Sequence, residues 1–275
     1  MQNTRGVTIH TTSPDQMDLL VALLSEVGFE GFEETDTALK AFLPEEQFRR
    51  EVLQELLQPL ALNFETELIA PRNWNAEWEQ QYQPVVVDDF AGIRAHFHPP
   101  LTGVQHEIII TPKMSFGTGH HATTWQMMQL MRSINFSGKH VFDFGSGTGV
   151  LAILAEQSGA ANVLAMDIDD WCIENAEENA ERNQCGRINV VQGEAPPAGE
   201  RFDIILANIN RHILLQNMSQ LSAGLTEGGI LLISGFYEEE NELLLTAAIE
   251  QGLQLVEGSV RHNWSCLKLK KQVLS

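Results

Sequence analysis

His140-Val-Phe-Asp-Phe-Gly-Ser-Gly-Thr-Gly-Val-Leu-Ala-Ile-Leu154 is the stretch whose reading decides the fold. Val141 to Phe144 is a short apolar run of the kind that forms a buried parallel strand. Gly145, Gly147 and Gly149 follow, and then the apolar, helix-favouring run Val150 to Ala155. Strand, glycine loop and helix let backbone approach a nucleotide-like ligand with the N–H groups of a helix start facing it. Asp143 stands just before the first glycine. A carboxylate pointing into that crevice repels a pyrophosphate and attracts a cation.

Downstream the pattern alternates. Strands are expected at 162–168, 188–192, 202–207 and 229–234, with helices at 171–183, 212–221 and 238–251. Two last strands, 253–260 and 263–269, are separated only by Arg261 and His262, which leaves room for a hairpin and no helix. Counted from Val141 this makes seven strands with helices between the first six. Such an order predicts a doubly wound, Rossmann-like parallel sheet with right-handed crossovers and a C-terminal β-hairpin.

Upstream, three strands (84–88, 93–97 and 107–111) lead into this domain. His96 and His98 would share one face of the middle strand, but no third ligand follows at matching spacing, so no metal site is expected. Residues 112–124, Pro-Lys-Met-Ser-Phe-Gly-Thr-Gly-His-His-Ala-Thr-Thr, read as a second glycine-rich wall for the same ligand. His120 and His121 are its acid–base candidates; equally, one could cap the helix that follows and the other be solvated. That helix is expected at 125–134, with Met127, Met128 and Met131 in the core. Residues 71–84 are polar and bracketed by prolines. They form the expected linker helix, with Trp74 and Trp78 on one face. Residues 1–70 run β-α-β-β-α-β, the split βαβ of a small ferredoxin-like α+β domain. Its helices open at Ser13-Pro14-Asp15 and at Pro44-Glu45-Glu46. The domains are therefore 1–70, 71–84 and 85–275.

Composition bounds the function. Thirty-seven acids against 17 bases leave a net charge of −20, which argues against direct binding to a nucleic-acid backbone and suits a basic partner. Three cysteines without metal-site spacing fit a reducing cytoplasm. No apolar run approaches the ~18 residues of a membrane helix, and no signal segment is apparent behind Met1. A monomer is expected.

Ligands of doubly wound sheets lie beyond the carboxyl ends of the strands. Four ends carry useful groups: Asp143 with Gly145 and Gly147, Asp167 with Asp169, Glu194, and Asn208. Asp167 comes 20 residues after Gly147, where a carboxylate holds ribose hydroxyls. Gly147-x-Gly149-x-x-Ala152 also fits the dinucleotide pattern, so an NAD-dependent oxidoreductase is the alternative. Asp143, matched to an ammonium, and the terminal hairpin favour S-adenosyl-L-methionine. A non-catalytic sensing module and a methyltransferase with another substrate stay open on the residues alone.

Asp143-Phe-Gly-Ser-Gly-Thr-Gly149, Asp167 and Asn208 resemble the class I S-adenosylmethionine-dependent methyltransferases. Within that class, Phe116-Gly-Thr-Gly-His-His-Ala-Thr-Thr124, Ala207-Asn-Ile209 and Asn73-Trp-Asn-Ala-Glu-Trp78 resemble the ribosomal protein L11 methyltransferases. Ser146 and Ala122 depart from that pattern, where Cys or Ala, and Pro, are expected. The resemblance implies N-methylation of lysine side chains and an α-amine on that ribosomal protein. It implies cofactor contacts from Thr124, Gly145, Asp167 and Asn208, and substrate recognition by residues 1–70. Asn208 is also expected to aim the acceptor amine. No general base is obligatory, and His121 is the candidate to test.

Overall fold

A computed structural model describes residues 3–69, 82–112 and 117–273. The chain divides into two compact units, Met1–Gln80 and Gln81–Ser275.

The leading unit is built from β1 (Thr4–His10), α1 (Pro14–Glu26), β2 (Gly31–Glu34), β3 (Ala38–Pro44), α2 (Arg50–Leu57) and β4 (Phe64–Ile69). Its sheet has the order β2-β3-β1-β4, with every neighbouring pair antiparallel. Alternation puts Val7, Ile9, Leu39, Ala41 and Leu43 on one face, where Leu20, Leu24, Leu53 and Leu57 of the helices cover them. Ser13 caps α1 by accepting from the Gln16 N–H, with Pro14 in the first turn. The second helix starts later than its acids imply. Glu45–Gln47 is a single 3-10 turn, because both Glu45 oxygens accept from Arg5 of β1 at 2.6 Å. Phe48 and Arg49 then run extended before α2 begins.

The larger unit opens with β5 (Val85–Val87), β6 (Ala91–Ala95) and β7 (His106–Ile110) in a three-stranded sheet. There follow α3 (Ala122–Met131), β8 (His140–Phe144), α4 (Val150–Gln157), β9 (Asn162–Asp167), α5 (Asp170–Arg182) and β10 (Ile188–Gln192). The chain ends with β11 (Phe202–Asn208), α6 (Arg211–Gly224), β12 (Leu225–Tyr237), α7 (Asn241–Glu250), β13 (Leu253–Arg261) and β14 (Trp264–Lys271). The seven-stranded sheet has the order β10-β9-β8-β11-β12-β14-β13. Its first five strands are parallel, and β14 runs antiparallel to both neighbours. From β8 the chain winds outward to β10 and then returns to β11 on the other side of β8. That reversal opens a crevice at the carboxyl ends of β8 and β11.

Both sheet faces are covered, so the strands alternate between two apolar cores. Val141 of β8 with Ile204 and Leu206 of β11 pack beside Met127, Met128 and Met131 of α3 and Leu154 of α4. Phe142, Phe144, Ile205 and Ala207 pack beside Leu214, Met218 and Leu221 of α6 and Leu244 of α7. The β7 edge is tied to α5 by its asparagines. Asn183 exchanges two bonds with Ile109, and Asn179 Oδ1 accepts from Thr111 N.

Four expectations need correction or placement. No helix joins β10 to β11. Residues 193–201 contain Gly193, Pro196, Pro197 and Gly199, which lack the propensity or the N–H groups for one. The middle strand of the small sheet ends at Ala95, so His96 and His98 lie in the turn after it rather than on one strand face. There His98 Nδ1 accepts from Ala95 N at 3.2 Å. The helix expected from Trp125 begins at Ala122, in the N1 place where proline is also favoured. Trp74, Trp78 and most of the expected linker helix lie outside the described residues, and Tyr82, Gln83 and Pro84 are not helical.

Candidate active site

The glycine loop between β8 and α4 is held by the strand beside it. Gly145 N and Ser146 N both donate to the Met166 carbonyl, at 2.8 and 2.9 Å. Gly147 N donates to Asp167 Oδ2 at 2.8 Å, and Ile168 N donates to Oδ1 at 2.8 Å. Asp167 thus braces the loop as well as ending β9. Gly145, Gly147 and Gly149 have φ of 77, 53 and 77°, values that L side chains rarely adopt. A Cβ at Gly145 would lie 2.1 Å from Ile209 Cγ2.

The crevice holds a cavity of about 480 Å³, within the range of small-molecule sites. Gly145, Gly147, Asp167, Glu194, Asn208, Thr124 and His121 all line it. Among the described residues its walls carry Asp167, Asp169 and Glu194 and no lysine or arginine. That balance disfavours a pyrophosphate and favours a ligand bearing positive charge. Asp167, Asp169 and Cys172 bring ligand-type atoms within 4.8 Å of one another; Asp167 already accepts three backbone N–H groups, two of them on Oδ1, which leaves acceptor capacity on Oδ2.

Asp143 is placed differently from its sequence reading. It shares a strand face with Val141, towards α4, and is 1% exposed. Its Oδ2 accepts from Ala152 N at 3.1 Å, and its Oδ1 has no partner. It therefore sits beneath the loop and is not part of the cavity wall. Burial pushes its carboxyl up to about 7, reinforced by the charge of Asp167 and opposed by the Ala152 N–H.

Asn208 ends β11 with its side chain buried. Its Nδ2 donates to Thr124 Oγ1 at 3.2 Å, while its Oδ1 is buried and unpaired. His121 caps α3, with Nδ1 2.8 Å from Thr123 Oγ1 and its ring edge-on to Trp264 at 4.6 Å. Burial lowers its pKa below the ordinary histidine value, so the neutral imidazole prevails at pH 7. His120 is exposed and is not a wall residue. The two glycine-rich segments meet where Thr148 Oγ1 donates to the Gly117 carbonyl at 2.8 Å.

Sequence reasoning missed Trp171 and Trp264 in the wall. Trp171 is 48% exposed, directly after the acids of β9; a large aromatic at the start of a polar helix was the available signal. Trp264 carried none. It arrives through β14 pairing, which sets it opposite Tyr237 at the end of β12.

Fold and site together define an α/β protein of the methyltransferase-like, Rossmann-like class. The family model for ribosomal protein L11 methyltransferase (PrmA) matches residues 3–272. The ribosomal protein L11 methyltransferase of Porphyromonas gingivalis is 42% identical over 272 residues, 94% of each chain. That of Phocaeicola vulgatus is 36% identical over 269 residues, 95% of this chain and 96% of the relative. Among solved structures, the ribosomal protein L11 methylase from Lactobacillus delbrueckii subsp. bulgaricus matches with a TM-score of 0.65 and 29% identity. The match covers 70% of this chain and 100% of that one. The chain belongs to the ribosomal protein L11 methyltransferase (PrmA) family, which overrules the oxidoreductase alternative.

Proposed function

We propose that this chain methylates ribosomal protein L11 with S-adenosyl-L-methionine, placing methyl groups on lysine side chains and an α-amine. The observation that carries this reading is the acidic cavity in which the glycine loop, Asp167 and Asn208 converge with no lysine or arginine among the described wall residues. The cavity also fits the cofactor by its unsatisfied chemistry. Asn208 Oδ1 and Ser146 Oγ, both on wall residues, are buried without partners, a cost that a polar ligand relieves.

In this reading Asp167 holds the ribose hydroxyls, and Gly145 and Gly147 give backbone room beside them. Glu194 closes the same end, and Thr124 orients Asn208. Asp143 supplies negative charge from below the loop towards a cationic ligand. When bound, S-adenosylmethionine supplies a methyl group already activated by its positive sulfur. The protein's task is then positioning. The Asn208 carbonyl oxygen accepts an N–H of the acceptor amine and aims its lone pair. A lysine is mostly protonated at neutral pH; exclusion of water favours its neutral form, while the wall carboxylates oppose it. His121 is the one wall imidazole able to take a proton.

We read the leading unit as a ferredoxin-like recognition domain, on the support of its βαββαβ order and sheet order. The same reading takes the protein as a cytoplasmic monomer that does not bind nucleic acid directly. Its net charge of −20 and its free cysteines, Cys172, Cys185 and Cys266, support it. No helix among the described residues is long and apolar enough to cross a membrane.

The test is transfer of labelled methyl groups from S-adenosylmethionine into ribosomal proteins of a methyltransferase-deficient strain, with mass mapping of the product. Label in lysines and the α-amine of L11 is expected. Label confined to other proteins or to RNA overturns the substrate assignment.

A further inference from the structure

Gly117 and His121 belong to the cavity wall, and His120 between them does not. Its ring is engaged on both sides all the same. Nε2 lies 2.8 Å from the Gln83 carbonyl. A carbonyl only accepts, so Nε2 carries the proton, and Nδ1 is left to accept from Thr118 Oγ1 at 3.2 Å. The ring edge meets Tyr82 at 4.7 Å, and Tyr82 stacks on His98 at 6.0 Å. Tyr82 and Gln83 are the first described residues of the larger unit, where the chain arrives from the leading one.

The segment 117–121 needs such outside support. Gly117 and Gly119 have φ of 102 and 89°, and glycines impose little conformation of their own. Gly119 rests on the small sheet, where a Cβ would lie 2.4 Å from Ile93 Cδ1. Gly117 is fixed by Thr148 of the glycine loop, and the Thr148 carbonyl accepts from Asn179 Nδ2 at 2.9 Å. A continuous set of contacts thus runs from Gln83 through His120 and the 117–121 segment to the cradle at Thr148.

We propose that His120 is a positioning residue for the cofactor cavity. It clips the entry segment Tyr82–Gln83 to the wall, so that the wall is ordered before the ligand arrives. Without the clip, ligand binding must itself order the segment, and that entropy is subtracted from affinity. The inference rests on the S-adenosylmethionine reading above. It adds a coupling between the place where the chain enters the larger unit and the fit of the cradle.

Calorimetric titration of the full chain with S-adenosylhomocysteine tests it, with thermal melting to confirm folding. His120→Ala is expected to weaken binding about fivefold. His120→Gln keeps an N–H donor for the Gln83 carbonyl and is expected to return to within about twofold of the parent. A purely steric filler would show no such rescue. The double variant His120→Ala, Thr148→Val is expected to bind at least about threefold better than the product of the single losses, because both act on one segment. His120→Ala at parental affinity, failure of the glutamine rescue, or strictly multiplicative losses each overturns the clip. A parent chain that does not bind S-adenosylhomocysteine overturns the nucleoside reading itself, and the clip with it.

Discussion

Gly145, Gly147 and Gly149 on one side of the cavity, and Gly117 and Gly119 on the other, all adopt positive φ. Their surroundings differ. The first set is clamped by two strand ends, through the Met166 carbonyl and the Asp167 carboxylate, and Ile209 closes over Gly145. The second set rests on a three-stranded sheet and reaches the cavity at Gly117 and His121. A loop fixed by the main sheet is rigid because its anchors are core strands. A loop fixed by side-chain contacts depends on each of them separately. In the proposed reading the first carries the ligand, and the second shapes the wall opposite it.

The largest effect should come from breaking the rigid side. Gly145→Ala places a methyl group on Ile209 in a backbone conformation that costs on the order of 1–3 kcal/mol for a non-glycine residue. Loss of measurable S-adenosylhomocysteine binding is expected by calorimetry, and near-normal affinity would show that the loop does not touch the ligand. Asp167→Ala removes both the brace on Gly147 and the proposed ribose contact. A loss of roughly 100-fold in affinity is expected from two charge-assisted hydrogen bonds. Asp167→Asn keeps an acceptor for Gly147 N–H but turns its NH2 on the N–H groups of Ile168 and Asp169, so an intermediate loss of affinity is expected. If it binds as the parent does, neither the second carboxylate oxygen nor its charge contributes to ligand binding.

Asn208→Ala probes the point where the two sides meet through Thr124. Turnover should fall about 100-fold, with a smaller change in affinity, as for loss of one preorganised polar group. Equal losses in turnover and affinity would assign Asn208 to ligand binding only.

Asp143 gives the next effect. Its carboxyl is raised from 3.8 to about 7. Between those values the folded protein holds a proton that the unfolded chain has released, so stability falls as pH rises through this window and is level above it. A cationic ligand favours the ionised carboxylate. Affinity for S-adenosylmethionine should therefore rise by up to about tenfold between pH 6 and 8. Asp143→Asn should flatten that profile, and a parent profile that is already flat would remove Asp143 from ligand electrostatics. Gly119→Ala should give the smallest effect, a few-fold loss of affinity, because its methyl group meets the movable tip of Ile93. A loss as large as that of Gly145→Ala would mean that the two sides do not differ.

Much of this was legible in the chain. Alternation of apolar strands with helical repeats set the order of elements, and Asp167 and Asn208 could be placed because each ends a strand that flanks β8. The errors have local physical causes. Asp143 was read into the crevice, but the two-residue period of β8 turns it to the face of Val141 under α4. The rhythm of the pattern predicts a helix between β10 and β11, which the prolines and glycines of the link forbid. The second helix of the leading unit was started at its acids, one of which is spent on Arg5.

By itself, then, the sequence determined the parallel sheet, the terminal hairpin, the glycine loop and a set of wall residues, among them Thr124, Asp167, Glu194 and Asn208. All of these follow from short-range periodicity and from residues with special backbone freedom. Tertiary structure decided what is fixed by long-range pairing. β14 brings Trp264 to the cavity from 140 residues beyond Thr124. Thr148 joins the two glycine segments, and His120 ties Gln83 to the wall. Such contacts depend on which strands become neighbours, a property of the closed sheet that no local window of sequence contains.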